Sequence, residues 1–151
     1  MIEFCNGNIL DADTDAIAQQ VNCMGVMGAG LAKQIRNKYP AVYDEYKKAC
    51  NEVYHPLELL GDCRFCNVDN RVIFNLFGQY RYGRGKQHTE LSALKGAMRK
   101  MDVICLLHDI KSVAVPYGIG CGLGGADWED VYLLIKLIFE DSPILIKIYS
   151  L

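Results

Sequence analysis

The 151-residue sequence has no excess of charge of either sign. Its 16 lysines and arginines stand against 18 acidic residues, for a formal net charge of -2. Proteins that bind nucleic acid in general usually present a basic face, so this balance argues against general nucleic-acid binding. It does not exclude a small anionic ligand that is held by backbone N–H groups.

Long apolar runs and a secretory signal are also missing. No apolar stretch reaches the length that a membrane-spanning helix needs, and the apolar stretch 131–139 is interrupted by Lys136. We therefore expect no membrane partner. The seven cysteines are an odd number without a signal peptide, which indicates free thiols in a reducing, cytoplasmic location.

Metal ligands in a recognisable set are absent as well. Cys63 and Cys66 form a lone CxxC pair, and neither a second CxxC nor paired histidines follow. A structural zinc site needs four ligands, so we expect no metal and no cofactor.

Strand-like and helix-like segments alternate along the chain without a linker or a repeat, so we expect a single domain over residues 1–151. This order is typical of an α/β protein whose sheet is covered on both faces. Strands are predicted at 2–5, 16–22, 64–68, 71–77, 112–116 and 144–149, and helices at 31–39, 41–51, from about 90 and from 128. Thr89 or Ser92 is the expected N-cap of the third helix, and Asp127 that of the fourth. Whether 103–107 continues the third helix stays open.

Glycine is concentrated at one place, between the predicted strand 112–116 and the helix that Asp127 opens. Residues 118–125 contain five glycines. A strand that breaks into glycines before a helix leaves backbone N–H groups uncovered beside the positive end of the helix dipole. Such a turn is a seat for a phosphate or a diphosphate.

Two common nucleotide-binding motifs do not fit this run. Gly120, Gly122 and Gly125 match GxGxxG, but the predicted strand that follows carries no acidic residue for the ribose hydroxyls. No Gly-Lys-Ser/Thr follows the glycines either, which excludes a Walker A loop.

A second glycine segment, residues 25–30, joins another strand end to another helix start. Each segment alone is compatible with a tight turn and nothing more. Two of them in the same topological position predict a ligand that is closed in from two sides.

Met27-Gly28-Ala29-Gly30-Leu31-Ala32 followed by Gly120-Cys121-Gly122-Leu123 resembles the macrodomain family of ADP-ribose-binding α/β proteins. The resemblance extends over nearly the whole chain. It is strongest to the branch of the terminal ADP-ribose glycohydrolases and of the antitoxin macrodomains that remove ADP-ribose from DNA. It implies a three-layer α/β/α fold with a mixed, six-stranded sheet.

The resemblance also implies a binding site for ADP-ribose or an ADP-ribosylated substrate. Asn8 takes the place of an aspartate that reads the adenine amino group in the family, and either Tyr149 or Phe77 packs against adenine or belongs to the core. Asn22 and residues 25–30 would line the distal ribose, and residues 118–125 would hold the diphosphate. The implied ligand-binding residues are Asn8, Ile9, Asn22, Gly25, Met27, Gly28, Ala29, Gly30, Gly118, Ile119, Gly120, Cys121, Gly122 and Leu123.

Two catalytic positions of the resembled hydrolases differ in this chain. A lysine that forms a covalent adduct with the opened ribose is replaced by Gln79. An aspartate of the terminal ADP-ribose glycohydrolases is replaced by Gly124, where the antitoxin macrodomains that act on DNA resemble this chain in having Gly-Gly. Lys86 is a possible substitute amine, and Asn22 and Asp127 are the remaining catalytic candidates. The leading expectation is hydrolysis of O-acyl-ADP-ribose, ADP-ribose 1″-phosphate or an ADP-ribosyl ester by a positioned water. The alternative is a non-catalytic reader of ADP-ribose.

The segment 80–88 is basic and ends at His88. It is either a solvated edge of the protein or a contact to the phosphate or protein part of the substrate.

Overall fold

The computed structural model describes residues 1–151 and contains one sheet between two helical layers. The strands are β1 (Ile2–Asn6), β2 (Ala16–Val21), β3 (Cys63–Val68), β4 (Arg71–Phe77), β5 (Ser112–Pro116) and β6 (Leu145–Ser150). The α-helices are α1 (Gly30–Lys38), α2 (Pro40–Glu52), α3 (Leu91–Leu107) and α4 (Trp128–Phe139). Two short 3₁₀ turns at Ile9–Asp11 and Pro56–Leu59 complete the structure.

The sheet is mixed and has the order β1-β6-β5-β2-β4-β3. Every neighbouring pair is parallel except β3 and β4, which form an antiparallel hairpin. The hairpin turns at Asp69 and Asn70, whose φ angles of 48° and 64° lie in the left-handed region that aspartate and asparagine tolerate. The predicted α/β/α architecture with six strands is confirmed.

Side chains that alternate along the central strands enter two separate cores. On β2, Ala16 and Ala18 face the layer of α3 and α4, whereas Ile17 and Val21 face the layer of α1 and α2. Both faces of the parallel strands are therefore buried, which explains their nearly continuous apolar sequences. No helix has the length and apolar composition needed to cross a membrane.

Helix α3 differs from the prediction at both ends. Its N-cap is Glu90 without a side-chain hydrogen bond, so the expected caps Thr89 and Ser92 are wrong. Thr89 lies one residue earlier, in an isolated β-bridge with Gln79, and its hydroxyl donates to the Gly120 carbonyl instead. At the other end the helix runs on to Leu107, which settles the open segment 103–107 as helix.

Leu94→Ala tests the packing of α3 against the sheet. Leu94 is fully buried, so the substitution should lower the free energy of unfolding by about 2–5 kcal/mol through lost burial and the cavity that it leaves. Leu133→Ala on α4 is the matched control, because Leu133 is 62% exposed and its loss should change stability by less than about 0.5 kcal/mol. Equal urea midpoints for the two variants would contradict this assignment of the core.

Candidate functional site

The candidate site is a crevice above the carboxyl ends of the parallel strands. β2 lies between β5 and β4, and the chain leaves β2 for α1 on one face of the sheet. It leaves both β5 and β4 for α4 and α3 on the other face. Connections that diverge in this way open a crevice at the strand ends, which is the usual ligand site of open α/β sheets.

The first wall of the crevice is the loop between β2 and α1, residues 22–29, called here the first glycine loop. Six consecutive backbone N–H groups at the end of this loop and in the first turn of α1 donate to no group of the protein. They belong to Met27, Gly28, Ala29, Gly30, Leu31 and Ala32. Unpaired N–H groups at a helix N-terminus attract anions and oxygen acceptors.

The second wall is the loop between β5 and α4, residues 117–127, called here the second glycine loop. Six of its backbone N–H groups also donate to no group of the protein, namely those of Gly118, Gly120, Gly122, Leu123, Gly124 and Asp127. The N–H groups of Ile119 and Cys121 are used internally, at 3.0 Å from the Pro116 carbonyl and 2.8 Å from the Gly118 carbonyl. The uncovered N–H groups predicted from the glycines are therefore present in the backbone, and the binding of an anion to them stays a prediction.

The hydroxyl of Tyr46 on α2 forms hydrogen bonds to the first glycine loop. Its hydroxyl oxygen accepts from the N–H groups of Gly25 and Val26, each at 3.1 Å. Its proton is shared between the backbone carbonyl and the side-chain oxygen of Asn22, at 2.7 and 2.8 Å. Burial raises the pKa of Tyr46, so the hydroxyl keeps its proton at neutral pH.

The side chain of Asn22 makes several hydrogen bonds within the protein that the sequence does not indicate. Its side-chain oxygen accepts from the N–H of Met24 at 2.9 Å, and its amide nitrogen donates to the Val26 carbonyl at 2.8 Å. One amide hydrogen is left for a ligand. The predicted role of Asn22 at the distal ribose stays a prediction, and its first contribution is to hold the loop in place.

Asp127 is the N-cap of α4, as predicted from the sequence. Its carboxylate accepts from the N–H of Glu129 at 3.0 Å, and the side chain is exposed. This structural role leaves one carboxylate oxygen free. A catalytic role for Asp127 stays a prediction.

Three hydrogen-bonded side chains, called here the polar cluster, join the segment between β4 and α3 to the second glycine loop. They are Gln20, Gln79 and Thr89. Gln20 donates from its single amide nitrogen to Gln79 at 2.7 Å and to the Thr89 hydroxyl at 2.8 Å. Thr89 in turn donates to the carbonyl of Gly120 at 2.7 Å. Gln79, at the lysine position of the resembled hydrolases, is thus part of a hydrogen-bond network and carries no amine.

Gly124, at the aspartate position of the resembled hydrolases, has no room for a side chain. A Cβ atom there would collide with the Thr89 hydroxyl oxygen and would lie 2.6 Å from the Gly120 carbonyl oxygen. The polar cluster therefore involves both positions. Its Thr89 hydroxyl fills the space beside Gly124, and its Gln79 stands where the resembled hydrolases have a lysine.

The residues predicted to lie near adenine have different surroundings in the structure. Phe77 is completely buried in the core beside α2, so it belongs to the core and does not pack against a ligand. Tyr149 is half-buried at the end of β6. The side-chain oxygen of Asn8 accepts from the N–H of Leu10 at 3.0 Å and caps the 3₁₀ turn that begins at Ile9. A carbonyl oxygen has a second lone pair, so reading of adenine by Asn8 stays a prediction.

Cys121 is partly buried in the second glycine loop and packs against the core of the α3 and α4 layer, and its predicted contact with a ligand stays a prediction. Its thiol donates to the Ile119 carbonyl at 3.5 Å, and burial raises its pKa, so it is a poor nucleophile at neutral pH. No three His, Cys, Asp or Glu side chains are grouped so that they could hold a metal ion.

The basic segment 80–88 lies against the second glycine loop. The backbone N–H of His88 donates to the Gly124 carbonyl at 2.7 Å, and a Cβ on Gly125 would lie 2.9 Å from the Cα of Gln87. Arg81, Arg84 and Lys86 are exposed and make no ion pair. The segment therefore borders the crevice, while its three cations remain available to solvent or ligand.

Two surface cavities lie away from the crevice. One of about 120 Å³ is bordered by α2 and β3 and contains charges of both signs, including Glu45 and Lys48. The other, of about 430 Å³, lies beside α3 next to Lys100 and Val103. Neither includes a residue of the two glycine loops, so neither offers their rows of N–H groups.

The sequence matches the Macro domain family over residues 18–135, which include both glycine loops and the polar cluster. The chain belongs to the Macro domain family. A DNA ADP-ribosyl glycohydrolase from Mycobacterium tuberculosis is 32% identical over 145 residues, which cover 95% of this chain and 40% of that protein. Human ADP-ribose glycohydrolase OARD1 is 28% identical over 138 residues, which cover 91% of this chain and 83% of that protein.

A solved structure supports the same assignment. The macrodomain of Mycobacterium tuberculosis DarG superimposes with a TM-score of 0.85 at 30% identity, covering 100% of this chain and 98% of that one. The chain spans about 40% of the length of the first bacterial glycohydrolases that it matches.

Tyr46, Gln20 and Thr89 are the residues of the site that sequence reasoning missed. Tyr46 lies within the predicted helix 41–51 without a local sign of its hydrogen bonds, and Thr89 is predicted only as a helix cap. Gln20 is one available signal, because a glutamine near the end of an otherwise apolar buried strand needs a hydrogen-bond partner.

Tyr46→Phe tests how the first glycine loop is held. The variant leaves the N–H of Gly25 and the backbone carbonyl of Asn22 without a partner, and it removes one bond each from the Val26 N–H and the Asn22 side-chain oxygen. This should cost about 1–3 kcal/mol of unfolding free energy. Tyr43→Phe on the same helix is the control, because the Tyr43 hydroxyl makes no hydrogen bond, and its stability should stay near that of the wild type. Urea unfolding measures both, and equal losses would refute the role given to the Tyr46 hydroxyl.

Proposed function

We propose that this chain binds ADP-ribose in the crevice between its two glycine loops and hydrolyses an ADP-ribose derivative there. The observation that carries the proposal is the pair of rows of unpaired backbone N–H groups, at the topological switch point of a Macro domain sheet. The substrates in view are O-acyl-ADP-ribose, ADP-ribose 1″-phosphate and ADP-ribosyl esters. Relatives named as ADP-ribose glycohydrolases support this class.

The mode of binding explains how a protein of net charge -2 holds a dianion. In the proposed complex the diphosphate lies on the second glycine loop, where N–H groups with the positive end of the α4 dipole replace cationic side chains. The distal ribose lies on the first glycine loop, near the remaining amide hydrogen of Asn22. Adenine lies toward Asn8 and Tyr149.

The proposed chemistry uses a positioned water and no protein nucleophile. Gln79 carries an amide and cannot form a Schiff base with an opened ribose, and no carboxylate fits at Gly124. For an ADP-ribosyl ester, the water oxygen bonds to C1″ while the bond from C1″ to the carboxylate oxygen breaks with its electron pair. The proton of the water passes to a phosphate oxygen of the ligand. Fixing water and ribose in this geometry supplies a large share of the rate enhancement.

A non-catalytic reader of ADP-ribose is the second candidate. The observation in its favour is that both positions at which the resembled hydrolases carry catalytic groups are joined here in one polar cluster. A reader would use the same crevice and bind the same ligand. The two candidates therefore differ in turnover alone.

The bacterial relatives are named for ADP-ribosylated DNA, and this chain spans less than half of their length. We propose an ADP-ribosylated macromolecule or small ADP-ribose derivative as the partner, without general nucleic-acid binding. All seven cysteines are free thiols, and the cytoplasmic location stays a prediction.

Gly122→Glu tests the diphosphate seat. Gly122 has open space in front of it and ordinary φ, so a side chain there should not disturb the fold. A carboxylate beside the free N–H groups should repel the diphosphate and weaken ADP-ribose binding at least about tenfold in calorimetry. Gly122→Gln, of equal size and neutral, should lose less. Wild-type affinity in Gly122→Glu would exclude the second glycine loop as the seat.

A substrate panel separates enzyme from reader. We expect the wild type to release product from at least one of O-acetyl-ADP-ribose, ADP-ribose 1″-phosphate and mono-ADP-ribosylated protein or DNA, followed by chromatography and mass spectrometry. With cyanoborohydride present, the protein mass should not change, because no lysine adduct forms. Binding without turnover on the whole panel would establish the reader, and a trapped lysine adduct would refute the positioned-water route.

A further inference from the structure

One hydrogen-bonded chain of side chains passes through the ends of β2 and β4 into the second glycine loop. It begins at the Arg81 carbonyl, which accepts from the amide nitrogen of Gln79 at 2.7 Å. Gln79 accepts from Gln20, Gln20 also donates to Thr89, and Thr89 donates to the Gly120 carbonyl. Both ends of this chain are backbone carbonyls, which can only accept, so the direction of every bond between them is determined.

Thr89 controls two carbonyls of the second glycine loop. Its hydroxyl holds the carbonyl of Gly120 at 2.7 Å, and its backbone N–H holds that of Gly124 at 2.9 Å. A carbonyl oxygen that turned toward the crevice would repel a diphosphate. With both oxygens tied down on the protein side, the groups of the loop without a protein partner are N–H groups, those of Gly120, Gly122 and Gly124 among them.

Gln20 fixes which way the Thr89 hydroxyl points. Because its amide nitrogen donates to the Thr89 oxygen, the single proton of Thr89 is left for Gly120. The oxygen of Gln20 is buried without any hydrogen-bond partner, packed against Gly78 and near Gly120. Buried polar atoms are normally paired, so the unpaired oxygen of Gln20 costs stability, and an orienting role of the Gln20 amide nitrogen would account for that cost.

We propose that Thr89, oriented by Gln20, is a positioning residue that keeps the second glycine loop in its anion-binding conformation. The inference rests on the proposed function, since it concerns how the same crevice holds the diphosphate of ADP-ribose. Thr89 acts through the backbone of Gly120 and Gly124 and does not itself contact the ligand. The sequence offers Thr89 only as a helix cap, a role that Glu90 takes in the structure.

The test compares Thr89→Val, which keeps the shape and removes the hydroxyl, with Thr89→Ser, which keeps the hydroxyl. Each is titrated with ADP-ribose and with adenosine, which lacks the diphosphate, by NMR chemical-shift changes. Thr89→Val should bind ADP-ribose about tenfold more weakly, the effect of about one lost hydrogen bond, and adenosine as the wild type does. Thr89→Ser, which keeps the hydroxyl, should bind ADP-ribose with an affinity within about twofold of that of the wild type.

The outcomes distinguish failure of the proposed function from failure of the proposed role of Thr89. A wild type that binds neither ligand refutes the proposed function itself. A wild type that binds ADP-ribose, with Thr89→Val equally tight, overturns only the role of Thr89. Equal weakening for ADP-ribose and adenosine, or failure of Thr89→Ser to restore affinity, shows a general structural effect and also overturns it.

Gln20→Met provides the second variant if Thr89→Val does not fold. It removes the donor that orients the Thr89 hydroxyl, along with the unpaired oxygen, and keeps the length of the side chain. ADP-ribose binding should weaken about threefold with adenosine binding unchanged. In both variants the backbone amide of Gly120 should shift in the NMR spectrum of the free protein, and an unchanged spectrum with unchanged affinity would refute the proposal.

Discussion

A loop can bind an anion with its backbone only if its N–H groups are unpaired and its carbonyls are turned elsewhere, and this condition governs both walls of the crevice. Peptide groups carry a donor and an acceptor together, so exposing the donors requires a fixed partner for the acceptors. In the second glycine loop the Gly120 carbonyl is held by Thr89 and by the N–H of Ala126. In the first glycine loop Asn22 holds the Val26 carbonyl. The glycines permit these conformations, and the polar side chains beneath them select one.

The same condition explains why the site needs so little charge. The rows of N–H groups and the amino ends of α1 and α4 provide positive potential without a buried lysine or arginine, whose desolvation would be costly. The exposed cations Arg81, Arg84 and Lys86 border the crevice without forming its seat. The backbone can therefore supply the donors for a diphosphate, and the cations of segment 80–88 stay free to interact with solvent or with another part of a ligand.

Much of the fold and the backbone part of the site could be predicted from the sequence, because their signals are local. The strand–glycine–helix pattern places both loops, and Asp127 two residues before Glu129 marks the start of α4. The supports of the loops could not be predicted, because they join distant parts of the chain. Tyr46 is 24 residues from Asn22, and Gln20 is 69 residues from Thr89. Thr89 even carried a misleading local signal, since threonine before an apolar helix is a common cap, whereas its β-bridge to Gln79 is a tertiary contact.

The polar cluster also explains why the departures at Gln79 and Gly124 occur together. Gln79 accepts from Gln20, Gln20 donates to Thr89, and the Thr89 hydroxyl fills the space into which a side chain at Gly124 would project. An aspartate at position 124 would displace Thr89 and break one of the two hydrogen bonds that hold the Gly120 carbonyl. A lysine at position 79 would remove the acceptor of one Gln20 amide hydrogen, while the other hydrogen would still donate to Thr89. Each position is therefore constrained by the other through Gln20 and Thr89, and catalytic groups of the relatives' type would require the whole cluster to change.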